Sequence, residues 1–524
     1  MRFITLLLLC LLSLGAFGAE VPSVFNTTNR TMRTLSLDEC TRQALERNHR
    51  IKVKRFDPRI SRFTLDASRA IYDPVFKAEY NHAQNTTEGR FNGNTGITSG
   101  GSDARSDFLA PGISGQLPSG LTYDVGGTFT HGRGTRGGTV PFENYTADAS
   151  LQLEQPLLKN FWTDSGRTTI QINRRNLEIS ELSLEQEIRA VTLDVQVAYY
   201  ELLFAREDVK VQEKAWELAE QLAKDNNEKV KAGSIAPLDA RQAEAQAATA
   251  LANLSQAHRR LLLAENTLKN LITDDYQSWL RTGIEPAEKL VAVPERLDLT
   301  DSWAAALNKR PDLRSLALEA EKLTLNTRLR SNQRWPELNL IGGYGRGGVD
   351  SSIPQSVDFT QVPPLTNSAY ASKFSRALDD IAAGRNERYN VGVVLRIPFS
   401  NKNEKNRYRA ALEQEKQIEL ELRKLHQDIL LEVDNNIDAV HANYEQVGAT
   451  HQARLFAEQA LEAGQRRLEA GKTTSFEILS LQKDLTTARS NEIRALADYN
   501  KALSQLFHSD GTILERNKIS IQFK

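Results

Sequence analysis

The sequence predicts an α+β membrane protein built as two copies of one plan, with short amphipathic strands forming part of a β-barrel. Three observations carry this reading. A stretch is written twice in register, some helices are too long for a globule, and the strands have one apolar and one polar face. The first copy begins LSLDECTRQALERN at 35, and the second begins LDLTDSWAAALNKR at 297. Leu35 pairs with Leu297, Leu45 with Leu307 and Pro74 with Pro336, each 262 positions apart. EQPLLKNF and RIPFSNKN align Pro156 with Pro398 at 242, and the segments from Leu193 and Leu431 align at 238, bringing Gly233 onto Gly471. Each half therefore reads helix, strand, long loop, strand, long helix, glycine turn, helix. A repeat of this length decides the fold before any local element does.

Residues 1–18 read as an export signal. Arg2 supplies the charge, Phe3 to Leu14 form an apolar run, and Ala16-Phe17-Gly18 offers a small-x-small cleavage site. Leu9 before Cys10 argues against a lipoprotein signal. Residues 19–296 then form the first repeat, 297–510 the second, and 511–524 a C-terminal tail. The mature chain keeps one cysteine, Cys40, which excludes an intrachain disulfide and reads as inert helix packing. No later run of 18 apolar residues exists, so no transmembrane helix is expected. A formal net charge of −1 with both signs interleaved argues against nucleic acid. Gly- and Ser-rich stretches at 89–104 and 131–139, and the irregular 345–375, read as long surface loops.

Ser36 with Glu39 predicts a capping box for the first short helix, and Asp298 with Asp301 imitates it in the second copy. Between Thr163 and Lys231 there is no proline and one glycine, Gly166. As continuous helix this is on the order of 100 Å. Within it Ala198, Leu202, Ala205, Val209, Gln212, Trp216, Ala219, Ala223, Asn226 and Val230 recur at spacings of four and three. The next helix repeats the pattern from Ala240 through Ala243, Ala247, Ala250 and Leu254 to Leu271. The second copy runs from Ile478 through Leu481, Leu485, Ala488, Glu492 and Ala495 to Leu506. This is a coiled-coil seam, with alanines that allow close approach. By periodicity alone, a solvated antiparallel coiled coil fits as well.

Four segments switch to period two: 75–82, 146–155, 338–344 and 389–399. Ala147, Ala149, Leu151 and Leu153 alternate with Asp148, Ser150, Gln152 and Glu154, while Tyr389, Val391, Val393, Leu395 and Ile397 alternate with smaller or polar residues. Such strands suit a membrane barrel with a wet lumen. A soluble sandwich is the alternative, but far longer helices separate the strand pairs. Four strands cannot close a barrel, and open edges are forbidden in lipid, so several chains must share it. An extra hairpin is expected at 108–130 around the turn Leu117-Pro118-Ser119-Gly120. It either widens the barrel or projects outside the cell.

No chemistry-bearing constellation emerges. The eight histidines are scattered; His441 and Glu445, four apart on a long helix, read as a solvated face. GGYGRGG at 342–348 ends a strand and enters a loop, which is not a phosphate-binding context. No nucleophile–base pair can be proposed, so no enzyme, cofactor or metal is expected.

The duplicated helix–strand–strand–helix plan, the QP and IP strand ends and the G-x-x-x-x-x-[DE] turns resemble the TolC-like outer-membrane efflux family across essentially 35–510. The resemblance implies a homotrimer whose strands share one β-barrel in the outer membrane of a Gram-negative bacterium. A long α-helical barrel would continue it through the periplasm. It also implies a passive exit duct for a tripartite efflux or type I secretion system, docking a periplasmic adaptor and, through it, an inner-membrane transporter. The cargo class is open. The family's Asn-Pro after the first helix appears here as Asn48-His49 and Arg310-Pro311, the second fitting better. A periplasmic adaptor has one hairpin flanked by soluble β-domains, and a coiled-coil adhesin or stalk has one uninterrupted heptad run; neither matches a hairpin written twice.

The turns Gly233-Ser234-Ile235 and Gly471-Lys472-Thr473 are expected at one end of the helical barrel, where an adaptor docks. Six residues after each glycine comes a carboxylate, Asp239 and Glu477. The resemblance implies that the second position helps constrict the closed mouth, with a further acid three residues on. Here that later position is Ser480, which favours a single Glu477 ring. The competing role for Asp239 and Glu477 is to favour a helix N-terminal dipole, worth roughly 0.3–1 kcal/mol.

Overall fold

The computed structural model describes residues 30–94, 96–136, 140–351 and 372–520; the expected signal at 1–18 lies outside them. The first half opens with strand β1 (Thr31–Leu35) and helices α1 (Leu37–Arg47), α2 (His49–Lys54) and α3 (Phe56–Arg69). Strands β2 (Val75–Thr87), β3 (Arg90–Asn92), β4 (Ile97–Ser99), β5 (Ser102–Gln116), β6 (Thr122–Arg136) and β7 (Val140–Pro156) follow. Helices α4 (Ser165–Lys231) and α5 (Pro237–Ile272) and strand β8 (Thr282–Pro286) complete that half. The second half contains α6 (Leu299–Lys309), α7 (Pro311–Gln333), β9 (Glu337–Ser351), α8 (Phe374–Ala382) and β10 (Asn386–Arg396). It ends with α9 (Lys402–Glu469), α10 (Ser475–Ser509) and α11 (Ile513–Arg516).

The chain divides into two compact units. One comprises residues 50–190, 296–438 and 506–524, and it holds a six-stranded antiparallel sheet in the order β10-β9-β7-β6-β5-β2. The register puts Phe76 beside Ile113, Ile113 beside Val125, Val125 beside Leu151 and Leu151 beside Tyr344. One face is thus apolar across all six strands, and it is not covered: Phe76 is 68 % exposed and Val391 79 %. The opposite face carries Asp148, Gln152 and Glu154. Its strand-to-helix corners are tied to the end of α7, where Asn332 accepts the Asn160 N–H at 2.7 Å and Asn401 Nδ2 donates to the Arg334 carbonyl at 2.9 Å. Arg310, at the start of α7, pairs with Asp312 and Glu432 at 2.7 and 2.6 Å and donates to the Ser509 carbonyl.

Several sequence expectations need correction here. The predicted loops 89–104 and 131–139 are largely strand where they are described, and 345–375 begins as strand: β3 and β4 pair as a small hairpin, β5 starts at Ser102, β6 runs to Arg136 and β9 to Ser351. Residues 137–139 and 352–371 lie outside the described residues. GGYGRGG at 342–348 lies inside β9 rather than at its end. Glycine and serine mark loops only where no neighbouring strand supplies hydrogen bonds. Here the neighbours do, and some positions need a missing side chain, because a Cβ on Gly134 would fall 1.9 Å from the Asp103 carbonyl oxygen. The hairpin expected at 108–130 extends over 102–136, and both its strands lie in the sheet between β2 and β7. Its Leu117–Gly120 turn falls at the end where β2 begins and β7 finishes, since Ser114 pairs with Val75 and Thr122 with Glu154.

The other unit comprises residues 1–49, 191–295 and 439–505. Its core lies along α4, α5 and α10, with Tyr199, Leu202, Leu268 and Ile272 fully enclosed. The capping box at Ser36 is formed in both directions, Ser36 Oγ to the Glu39 N–H at 3.2 Å and Glu39 to the Ser36 N–H at 3.1 Å. Cys40 is buried in α1, and burial first, then Glu288 and Glu39, pushes its thiol up to about 12. It is packing, not chemistry. A parallel pair, β1 with β8, closes this unit and was not expected from sequence. Five-residue strands of TMRTL and TGIEP carry too little alternation to be read.

Candidate functional site

The two glycine turns belong to the second unit described, and both are built the same way. Gly233 has φ +73° and Gly471 φ +67°. The Gly233 N–H donates to the Val230 carbonyl and the Ser234 N–H to that of Lys229; Gly471 and Lys472 repeat this onto Leu468 and Arg467. This double hookup is the Schellman ending, which requires a left-handed residue after the helix. Ser234, Gly471 and Lys472 are exposed, while Ile235 and Thr473 are half-buried.

The turns stand side by side. Ser475 Oγ lies 3.5 Å from Asn226 Oδ1, and Ala223, Ala243 and Leu479 form one apolar cluster from α4, α5 and α10. Asn226 is enclosed, with Nδ2 unpartnered. Below the second turn, Leu461, Ile478 and Leu485 pack within the α9–α10 pair.

The carboxylates differ. Glu477, in the first turn of α10, accepts from the Thr473 hydroxyl and pairs with Arg467 at 3.3 Å, and its own N–H is capped by Thr474 Oγ1 at 3.4 Å. Asp239 sits in the first turn of α5, its N–H bonded to the Ala236 carbonyl. Ser480 is exposed one turn further on. Sequence reasoning missed Arg467, whose link to Glu477 spans ten residues across a turn. It also missed the apolar residue at the same place in each turn: Leu238 is 66 % exposed and Phe476 62 %.

Above the turns, α10 is bolted to α4 by polar links. Asp208, almost fully buried, accepts from Ser490 Oγ at 2.8 Å and pairs with Arg260 of α5 at 2.6 Å. Glu201 pairs with Arg494 at 2.9 Å and with Lys501. Burial opposes ionisation of Glu201, but Lys501 and then Arg494 outweigh it and hold the carboxyl below the ordinary range. Glu201, Asp208, Arg260, Ser490 and Arg494 line an open groove of about 540 Å³. No cluster of three or more metal-ligating side chains occurs among the described residues.

The outer membrane efflux protein pattern matches residues 122–273 and 304–512, well over half of the sequence. The chain belongs to the outer membrane efflux protein family. Among its relatives, the cobalt-zinc-cadmium resistance protein CzcC of Cupriavidus metallidurans is 25 % identical over 349 residues, 65 % of this chain and 73 % of that one. The outer membrane protein TolC of Escherichia coli is 22 % identical over 414 residues, 76 % of each. The solved structure of the Campylobacter jejuni CmeC outer membrane channel superposes with a TM-score of 0.64 at 15 % identity, covering 91 % of this chain and 86 % of that one. The efflux-family fold therefore holds across nearly the whole chain. The family match begins at Thr122 and skips 274–303, so β2 and β5 lie outside it.

Proposed function

We propose that this protein is the outer-membrane exit duct of a tripartite efflux or type I secretion system, conducting passively what an inner-membrane transporter and a periplasmic adaptor deliver. The observation that carries this is the six-stranded sheet with an uncovered apolar face and two unpaired edges, β2 and β10. An open edge cannot persist in hydrocarbon, where every backbone group must be satisfied within protein. Three copies joined β10 to β2 close the sheet into one shared barrel of 18 strands, wider than the 12 that the family's four strands per chain make. The two repeats, 19–296 and 297–510, are one duplicated plan, and the helices extend into the periplasm of a Gram-negative bacterium.

The glycine turns form the periplasmic mouth. Gly233, Ser234, Ile235, Gly471, Lys472 and Thr473 make the docking surface for adaptor hairpins, with Leu238 and Phe476 as its apolar contacts. Glu477 and Asp239 line the constriction; the Arg467 link shields Glu477 in the closed state.

Native mass measurement in mild detergent is expected to give a homotrimer, and a stable folded monomer in the membrane overturns the shared barrel. Planar-bilayer recordings separate the roles of the acid. Glu477→Gln is expected to change conductance and cation preference, whereas unchanged currents leave Glu477 with the helix-dipole role alone.

A further inference from the structure

Helix α8 was invisible in the sequence, and it does not lie in a loop. It packs back onto β9 and β7. Phe374, Ala377, Leu378 and Ile381 recur at spacings of three and four, giving the helix one apolar side. Ala377 is fully buried over Gly348, where a Cβ would meet the Ala377 carbonyl oxygen at 1.9 Å. Phe374 meets Phe129 edge-on at 5.7 Å and Tyr145 at 6.0 Å. The N-terminus is pinned by Asp350, which accepts the Lys373 N–H at 2.7 Å, and Gly384 at φ +67° ends the element.

The register fixes which face of the sheet α8 covers. Ala147 pairs with Phe129 and Gly348, two rungs on from the pairing of Ala149 with Arg346 and four from that of Leu151 with Tyr344 and Val125. This is the apolar face that is left uncovered elsewhere on the sheet. Along β7, Ala147 stands nine residues from Pro156 and Tyr145 eleven. A tilted strand crosses the hydrocarbon in about 9–11 residues. Around this level the same face turns polar: Arg346 pairs with Glu387 at 2.9 Å on the Ala149 rung, His82 lies 2.6 Å from Asp107, and His131 lies 2.9 Å from Glu143. So α8 rests where the apolar belt ends. Even there, Phe374 and Leu378 remain 41 % and 39 % exposed on the helix's apolar side.

We propose that α8 is an interfacial helix seated at the boundary between acyl chains and headgroups of the outer leaflet, with Phe374 and Leu378 immersed and Asp379 in water. An amphipathic helix lying in that plane buries its apolar side a few ångströms into the boundary. The inference rests on reading the sheet's apolar face as lipid-facing. A second copy of the chain is the other conceivable cover. Its reach begins at the β2 and β10 edges, whereas α8 sits on β7 and β9 inside the sheet.

The test uses the full-length protein carrying Cys40→Ala, reconstituted in vesicles of phosphatidylethanolamine and phosphatidylglycerol. Nitroxide labels are placed through Leu378→Cys, Asp379→Cys and, as a mid-belt reference, Val125→Cys. The ratio of collisions with oxygen to collisions with a water-soluble nickel complex is expected to be about threefold or more higher at 378 than at 379, and high at 125. A high ratio at 125 with a low one at 378 overturns the interfacial helix and leaves the belt standing. A low ratio at 125 overturns both. Low accessibility to both reagents at 378, with an immobilised spectrum, places protein over the helix and overturns the proposal. If Leu378→Cys does not fold, Phe374→Cys carries the same comparison.

Discussion

Two hairpins of the same design solve one packing problem in opposite ways. At the spacing of 238 that aligns the long helices, Leu254 of α5 corresponds to Glu492 of α10, and Trp216 to Arg454. In the first hairpin Val209, Leu254 and Ala257 form a buried apolar cluster with Trp216 and Leu261 against it. In the second, Glu492 holds the seam, pairing with Arg454 at 2.5 Å and His451 at 2.6 Å, while Glu458 joins Arg454 at 2.9 Å and Arg489 at 2.8 Å. Arg489, then Arg454, hold the Glu458 carboxyl below its ordinary range. An apolar seam depends little on salt or pH, and an ionic one depends on both. At the level of residues 254 and 492 the second hairpin is thus the more open to salt and pH, although the Asp208–Arg260 pair adds one ionic link to the first; the second also carries the Arg467–Glu477 link at its turn.

The comparison is most easily broken by exchanging the two chemistries. Leu254→Glu puts a carboxylate into a buried apolar cluster. A loss of about 3–5 kcal/mol is expected, because a buried unpaired charge is among the costliest changes a core can take. Thermal unfolding in detergent reads this as a large fall in midpoint, well beyond that of Leu254→Ala. Equal falls for the two variants would mean that the cluster is not sealed from water. Next in size come Gly233→Ala and Gly471→Ala. Each Cβ meets open space, so only the positive φ is penalised, by about 1–2 kcal/mol. Matching losses at the two turns support their shared geometry, and a loss at one turn alone separates them.

Acid should act on the polar links, not on the apolar cluster. The Glu201 carboxyl is held below its ordinary value of 4.5 in the folded chain. Its contribution is therefore fully present above that value and is lost as pH falls through the lowered folded pKa. With the side chain 38 % exposed, about 0.5–1 kcal/mol is at stake. Unfolding midpoints between pH 6 and pH 3 should fall more steeply for the unmodified chain than for Glu201→Gln. Parallel curves would remove Glu201 from the acid response.

Much of this was legible because long periodic segments leave little choice. The span from Thr163 to Lys231 with one glycine had to be helix, and the alanine seams named the buried residues Ala198, Leu202, Ala240 and Ala257 correctly. The strands were legible in position but not in length. Beyond the apolar belt, Gln84, Thr86 and Gly134 pair with neighbours by register, and register is not written in composition. Helix α8 was hidden because nine residues give two turns of pattern inside a region rich in loop-forming residues. At the turns, the glycines and acids were readable from spacing. The Arg467 partner and the exposed Leu238 and Phe476 were not, since each depends on how two helices face each other across a reversal.

The smallest expected effect sharpens the comparison most. Glu492→Leu writes the first hairpin's residue into the second. Removing one partner of a buried pair is usually destructive, because the remaining charge is stranded. Here neither partner is stranded: Arg454 keeps Glu458 at 2.9 Å, and His451, with its side chain 47 % exposed, can turn to water. The leucine also gains apolar burial at a position only 16 % exposed, where desolvating Glu492 had worked against the ion pair. The net change in stability is therefore expected to lie within about 0.5 kcal/mol of zero at physiological salt. What should change is the response to salt. Raising ionic strength to about 1 M shortens the screening length to about 3 Å, which weakens the exposed arm of the unmodified seam. The unmodified chain should lose midpoint between low and high salt, and the Glu492→Leu chain should lose less. If both respond alike, the ionic seam carries no salt sensitivity of its own, and the two hairpins differ in sequence without differing in physics.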